Sequence, residues 1–287
     1  MRTTTLLFSL LITAAALAQT VINTSSFTFS TGVCPTMTVV FSNTDARTVE
    51  NWYKDRLKPI SADLSTKKEL LAIGVRLPEV SSDTIRVYVK ADQPKKSPDV
   101  TLHVAFRVNN AFVGPDSDQR QREGCHNWMY QQAIMLKKEL AQKEVDAANK
   151  SLQLLQSDLA MLVKEKDRAQ NSIEKTQKNI TKDEQDKAAT EGESTAMVTK
   201  VDAKRQEVAN APTEVNTKEL QGLLKEQEKL KRKAEKLAGD IEDGKKKIED
   251  LQFQIKKNLA DQDAKGKAID AQRKVVDDLT AKLAGIN

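Results

Sequence analysis

Two cysteines, Cys34 and Cys125, and two histidines, His103 and His126, are the side chains of this 287-residue chain with the most obvious capacity for chemistry. In an oxidising compartment two cysteines default to a disulfide. A Cys34–Cys125 bond would close a loop of about 90 residues and contribute up to roughly 4–5 kcal/mol in the chain-entropy picture. The competing reading is a pair of inert thiols. The same two sulfurs with His103 and His126 could also be read as a zinc set, but their spacing matches no zinc pattern, so no metal site is expected. The sequence holds no Gly-x-Ser-x-Gly, no phosphate-cradling glycine loop, no His-Glu-x-x-His and no Cys-x-x-Cys. The expectation is therefore no catalytic residue, no cofactor and no enzyme. Trp52 and Tyr53 read as core anchors, because they fall on the apolar stripe of a helix.

The elements that must position these residues begin after a leader. Met1-Arg2, an apolar run over residues 6–17 and the Ala16-Leu17-Ala18 site have the form of a secretory signal peptide, residues 1–18. The run is too short to span a bilayer comfortably. No later segment is apolar enough to do so, and no integral membrane segment is expected in the mature chain. The expected location is periplasmic or extracellular, reached by the general export pathway, with a soluble product. Charged residues make up 30% of the chain and aromatics 4%, a composition that leans toward coiled coil. The net charge of +5 comes from interleaved acids and bases, which fits a solvated helix surface and argues against a nucleic-acid partner.

Residues 19–115 read as a small α+β head. Strand signals recur at 36–41, 70–77, 84–90 and 100–109. In the last two, Ile85, Val87 and Val89, then Val100, Leu102, Val104, Phe106 and Val108, alternate with polar residues. Strict alternation gives one buried and one wet face, as in an antiparallel sheet packed on one side. The last two runs flank a Pro-Lys-Lys-Ser-Pro-Asp loop and predict a hairpin. A helix capped by Thr44 or Asn43, with a stripe of Val49, Trp52, Tyr53, Arg56 and Leu57, fits between the first two strands. The predicted order is β-α-β-β-β, one helix over one face of a small antiparallel sheet.

From Asp116 onward Pro212 is the only proline. Residues 116–211 and 212–287 read as two long helices of an antiparallel coiled-coil hairpin, so the chain is mainly α by residue count. With position a at Leu220, one heptad register runs without a stutter to Ile286. It places Leu230, Leu237, Ile241, Ile248, Leu251, Ile255, Ile269, Val276, Leu279 and Leu283 on the seam. Upstream the seam reads Leu152, Leu155, Leu159, Leu162, Ile173 and Ile180, then weakens as far as Ser194. That weak stretch contains Gly192, which is the alternative turn. Pro212 is preferred because the arms then match in length, each roughly 105–120 Å at 1.5 Å per residue. Acid-before-base pairs four apart, among them Glu139/Lys143, Glu228/Arg232, Asp261/Lys265 and Asp278/Lys282, line the outer faces. Lys166 and Asn258 are polar seam residues expected to lie near each other. Phe253 falls at position f, facing away from the seam, and is the candidate contact for self-association.

The run at 247–276 resembles uncharacterised bacterial secreted or periplasmic envelope proteins that have a signal peptide, a small α/β head and a C-terminal coiled-coil stalk. The head segment Phe-Arg-Val-Asn-Asn-Ala-Phe at 106–112 fits the same pattern. The resemblance implies an envelope location and brings no activity or functional residue with it. The architecture is also similar to small basic periplasmic chaperones with a β body and helical arms, although their hairpin is inserted between strands of the body and this one follows it. The expected function is non-enzymatic: a structural, scaffolding or protein-interaction role in the cell envelope, with protein partners and a homo-oligomer among the expectations. The alternatives are a holding chaperone that grips clients with its arms, and a small-ligand-binding or enzymatic head.

Overall fold

A computed structural model describes residues 20–287, and the leader expected at residues 1–18 lies outside the described residues. Two compact units make up the chain. The first holds the chain up to Lys150 together with Arg273–Asn287, and the second holds Ser151–Gln272.

The first unit is built on an antiparallel sheet of seven strands: β1 (Asn23–Phe29), β2 (Gly32–Ser42), β3 (Asp63–Ser65), β4 (Leu70–Val75), β5 (Ile85–Asp92), β6 (Asp99–Val108) and β7 (Ala111–Phe112). The spatial order is β1-β2-β6-β5-β4-β3, with β7 also paired to β6. The expected hairpin is present as β5–β6, in register from Arg86 opposite Arg107 to Asp92 opposite Thr101. Helix α1 (Ala46–Leu57) lies between β2 and β3 in the chain. Its cap is Asp45 and not Thr44 or Asn43: Asp45 is extended and its carboxylate accepts from the Thr48 amide at 2.9 Å, whereas Asn43 is left-handed at φ 56° and turns the chain into the helix. The expected four strands are all present. β1, β3 and β7 are additional to that expectation.

Alternation decides which face is buried. Val39 and Phe41 of β2, Ile85, Val87 and Val89 of β5, and Leu102, Val104 and Phe106 of β6 point into one core with Val49, Tyr53 and Leu57 of α1. Each fully buried side chain of this size stabilises the fold by roughly 1.5–3 kcal/mol. The core takes a further contribution from the start of helix α2 (Gln119–Asn210), whose Cys125, Trp128, Met129, Ala133 and Leu136 are buried in it. The Trp128 ring meets Phe106 edge-on at 5.7 Å and Tyr53 at 6.2 Å. Trp52 and Tyr53 are both core residues, and the indole Nε1 of Trp52 donates to Glu139 Oε2 at 2.7 Å. A side chain takes over where β4 begins: beyond the Leu70–Val89 pair, the Glu50 carboxylate of α1 accepts from the Ala91 amide of β5 at 3.1 Å.

The opposite face of the sheet carries a smaller cluster of Phe29, Cys34, Tyr88 and Ala105, with Phe27, Leu71 and Phe112 packed against it. His103 is on this face too, stacked on Phe27 with centroids 4.1 Å apart. The expected Cys34–Cys125 disulfide is therefore not formed. Both thiols are free and buried, and the sheet stands between them: Cys34 is in the small cluster and Cys125 in the main core. The same separation keeps Cys125 away from Cys34 and His103 as a joint ligand set.

The second unit consists of parts of α2 and of helix α3 (Glu214–Ala284). α2 ends at Asn210 and α3 begins at Glu214, so the turn is at Pro212, and the helix runs unbroken through Gly192. No described helix is long and apolar enough to cross a membrane.

Candidate interaction surface

The arms are held by a seam whose chemistry follows from the heptad. Within the second unit every a and d position is buried or half-buried, from Leu152 through Val208 and from Leu220 through Gln272. Leu155, Leu159, Leu162, Ile173, Leu230, Leu237, Ile248, Leu251 and Ile255 are half-buried on it, while Ile180, Ile241 and Ile269 are buried. Val276, Leu279 and Leu283 are half-buried in the first unit. Most other arm positions are exposed, and the majority of those are charged or polar, as a two-helix seam requires.

The stretch that looks weak in sequence, from Ile180 to Ser194, keeps its seam closed: Ile180 and Thr190 are buried and Asp183, Lys187 and Ser194 half-buried, with well-buried residues on either side. Thr176 and Thr190 at d, then Met197 and Val201, are all under 10% exposed. Thr190 can be buried because its hydroxyl donates to the Asp186 carbonyl of its own helix at 2.7 Å. Across from Ile180 and Thr176 the d position is Gly244, into which Ile180 closes. Charged residues enter the seam here, Asp183 at d and Lys187 at a, both half-buried; Lys187 pairs with Glu191 at 3.2 Å, and beside the seam Lys245 meets Glu184 at 3.3 Å. The legible signal was Thr176, Thr190 and Met197 at d, in a series interrupted by Asp183. A leucine count alone passes over it.

The polar seam residues form an ordered set. Asn258 Nδ2 donates to the Leu162 carbonyl at 3.0 Å, Gln262 Nε2 donates to Asn258 Oδ1 at 2.6 Å, and Lys265 Nζ reaches Asp158 at 3.0 Å. Lys166 and Asn258 do lie near each other, lining one open groove of about 260 Å³ with Leu162 and Ile255. Two lysines read in sequence as partners of their own helix cross instead to the other: Lys265 to Asp158 and, in the first unit, Lys282 to Glu144 at 2.9 Å. Glu139/Lys143, Glu228/Arg232 and Glu242/Lys246 pair within a helix as the spacing predicts.

The turn is built from side chains. Thr213 Oγ1 accepts from the Asn216 amide, which caps α3, and Asn216 Nδ2 reaches back to the Ala211 carbonyl at the end of α2. Pro212 therefore sits just before the cap and not in the first helical turn. Lys204 ties the two helices here through Glu219 and Asn216.

What the arms offer to another molecule is their outward surface. Phe253 is 72% exposed, and Leu154, Met161, Val215 and Leu259 are exposed by half or more. Among the described residues, no group of three or more His, Cys, Asp or Glu is placed to hold a metal ion. Among the described residues, two buried polar side-chain atoms, Tyr53 Oη and His103 Nδ1, have no hydrogen-bond partner. Burial pushes the Tyr53 hydroxyl well above the usual tyrosine range and holds His103 below the usual histidine range, with Asp92 opposing the latter. No protein-family model matches this chain, and no curated protein matches it significantly.

Proposed function

We propose that this is an exported, non-enzymatic protein of the cell envelope that works by protein–protein contact, with the paired arms as the working element and the β-sheet unit as a compact body. The observation that carries the reading is the unbroken a/d seam between the helices, closed by a side-chain-built turn at Ala211–Thr213. A seam of this regularity keeps an outer surface of fixed geometry, which suits a scaffold or spacer. The apolar leader at residues 6–17 supports export, and the resemblance to secreted or periplasmic envelope proteins with a head and stalk points the same way. Photo-cross-linkers placed at Leu154 and Phe253 of the full chain in its native host test the proposal. Adducts with one or a few proteins of the envelope fraction are expected. Adducts confined to cytoplasmic proteins, or none at either position, would overturn it.

A second reading is favoured by the exposed apolar residues on the arms, Leu154, Met161, Phe253 and Leu259. These are what a holding chaperone would present to unfolded clients. Light scattering of a denatured outer-membrane protein diluted with and without this chain separates the two readings, because a scaffold leaves aggregation unchanged.

A further inference from the structure

The two edges of the sheet are treated very differently. At one edge β3 is only three residues long, begins with Asp63 and is followed by Lys67 and Lys68. A short, charged edge of that kind resists pairing with another chain. At the other edge β1 runs seven residues, Asn23–Phe29, paired to β2 at every position without a register shift. It has no charge, no proline and no bulge. Between Arg2 and Asp45 the sequence has no Asp, Glu, Lys or Arg, in a chain that is 30% charged. Among the described residues no strand covers the outer edge of β1. Its backbone donors and acceptors on that side form a template for one more strand.

We infer that the outer edge of β1 pairs with β1 of a second copy of this chain, antiparallel about a two-fold axis at Ser26, to give a homodimer with one continuous sheet. The strand is self-complementary in that register. Ser26 faces its own symmetry mate, and Thr24 faces Thr28, a cross-strand pair that favours sheets. Phe27 faces Ser25 and lies diagonal to the Phe27 of the other copy on the face where it already stacks on His103. No like charges are opposed anywhere along the pairing. An uncharged strand offers no handle for choosing a charged foreign partner, whereas it pairs with itself without penalty. Because the other edge is short and charged, the assembly closes at two copies and does not propagate into a fibre.

The test is the absolute mass of the full chain by light scattering during gel filtration, for the wild type, Ser26→Lys, Ser26→Asp and an equal mixture of the two variants. The Ser26 side chain is exposed, so both variants keep the fold, which circular dichroism checks. The wild type is expected at twice the chain mass and each variant alone at the mass of one chain, because like charges then face each other across the axis. The mixture is expected to return to twice the chain mass. A wild type that runs as a single chain overturns the inference, and so does a dimer that survives Ser26→Lys, which would place self-association elsewhere, such as at Phe253. Should a variant misfold, hydrogen exchange of the wild-type amides over residues 23–29 decides the matter. Slower exchange at high than at low protein concentration supports the pairing, and concentration-independent exchange overturns it.

Discussion

Ile180 closes on Gly244 across the seam of the arms: a methyl group placed on the Gly244 Cα would lie 2.8 Å from Ile180 Cγ1 and 3.0 Å from its Cδ1. Glycine inside a long helix costs about 1 kcal/mol relative to alanine, so its presence at a d position needs a reason of this kind. Ile180 is buried and β-branched, so it cannot swing aside cheaply. Gly239, on the same helix, has nothing within 4 Å of such a methyl. Gly239→Ala is expected to stabilise the arms by about 0.5–1 kcal/mol, while Gly244→Ala loses that gain to overpacking of about 1–3 kcal/mol. Urea denaturation of the two variants, followed at 222 nm, checks the opposite signs.

A second glycine makes the same argument in the β-sheet unit. Gly124 is buried in the second turn of α2, and a methyl on it would overlap the carbonyl oxygen of Glu79. The helix backbone is thus seated directly on the chain between β4 and β5, which lets Cys125, Trp128 and Met129 reach the core. Gly124→Ala is expected to lower stability by several kcal/mol, on the order of a large core truncation, although alanine is the better helix former. Near-ultraviolet circular dichroism of Trp128 and Tyr53, recorded through thermal unfolding, reports it. A melting temperature equal to that of the wild type would remove the proposed seating.

Much of this could be read from residue types, and what could not has physical causes. β5 and β6 alternate strictly because one face is buried, and such a period survives in sequence. β1 does not announce itself: Asn-Thr-Ser-Ser-Phe-Thr-Phe has good strand formers but only two apolar residues, both on the outer face. β3 and β7 have three and two residues, too few to show a period. The start of α2 reads as arm because Cys125, Trp128, Met129, Ala133 and Leu136 follow a helical spacing that says nothing of what covers them. The seam from Leu220 onward was legible because most of its a and d residues are aliphatic. The stretch from Ile180 to Ser194 looked weak because Asp183, Lys187 and Ser194 fill a and d positions there, while Thr190, and Gly244 opposite Ile180, contribute fit rather than hydrophobic bulk. The disulfide expectation failed for a reason sequence spacing does not contain, namely the sheet that lies between two buried sulfurs.

The thiols give a third prediction. Burial, helped by the Glu79 carboxylate, pushes the Cys125 thiol up to about 12, and Cys34 is also buried, beside the Thr31 hydroxyl and the Gly32 carbonyl. Protein purified without reductant is expected to react with a thiol reagent at neither cysteine in the native state and at both in denaturant. Non-reducing and reducing gels should show the same mobility. A mass two hydrogens lighter for the untreated protein would restore the Cys34–Cys125 bond and require the sheet to be rearranged.

Glu139 sets an acid limit on the same unit. The hydrogen bond from the Trp52 indole, followed by that from Lys143, holds its carboxyl below the usual value of 4.5. Asp45 is held below 3.8 by its cap hydrogen bonds to Thr48, so the two act with the same sign. A carboxylate with a depressed native pKa adds stability that is fully present above its unfolded value and is lost as pH falls through the native one. The melting temperature is therefore expected to be flat above about pH 5 and to fall in the acid range below 4.5. Glu139→Gln should lower it at neutral pH and flatten its fall with acid, since the amide can still accept from Trp52 but carries no charge to be neutralised. Asp45→Ala is expected to cost about 1 kcal/mol through loss of the cap, with Asp45→Asn retaining most of it. If Glu139→Gln left the acid limb of the melting curve as steep as in the wild type, ionisation of Glu139 would not be what sets the acid limit.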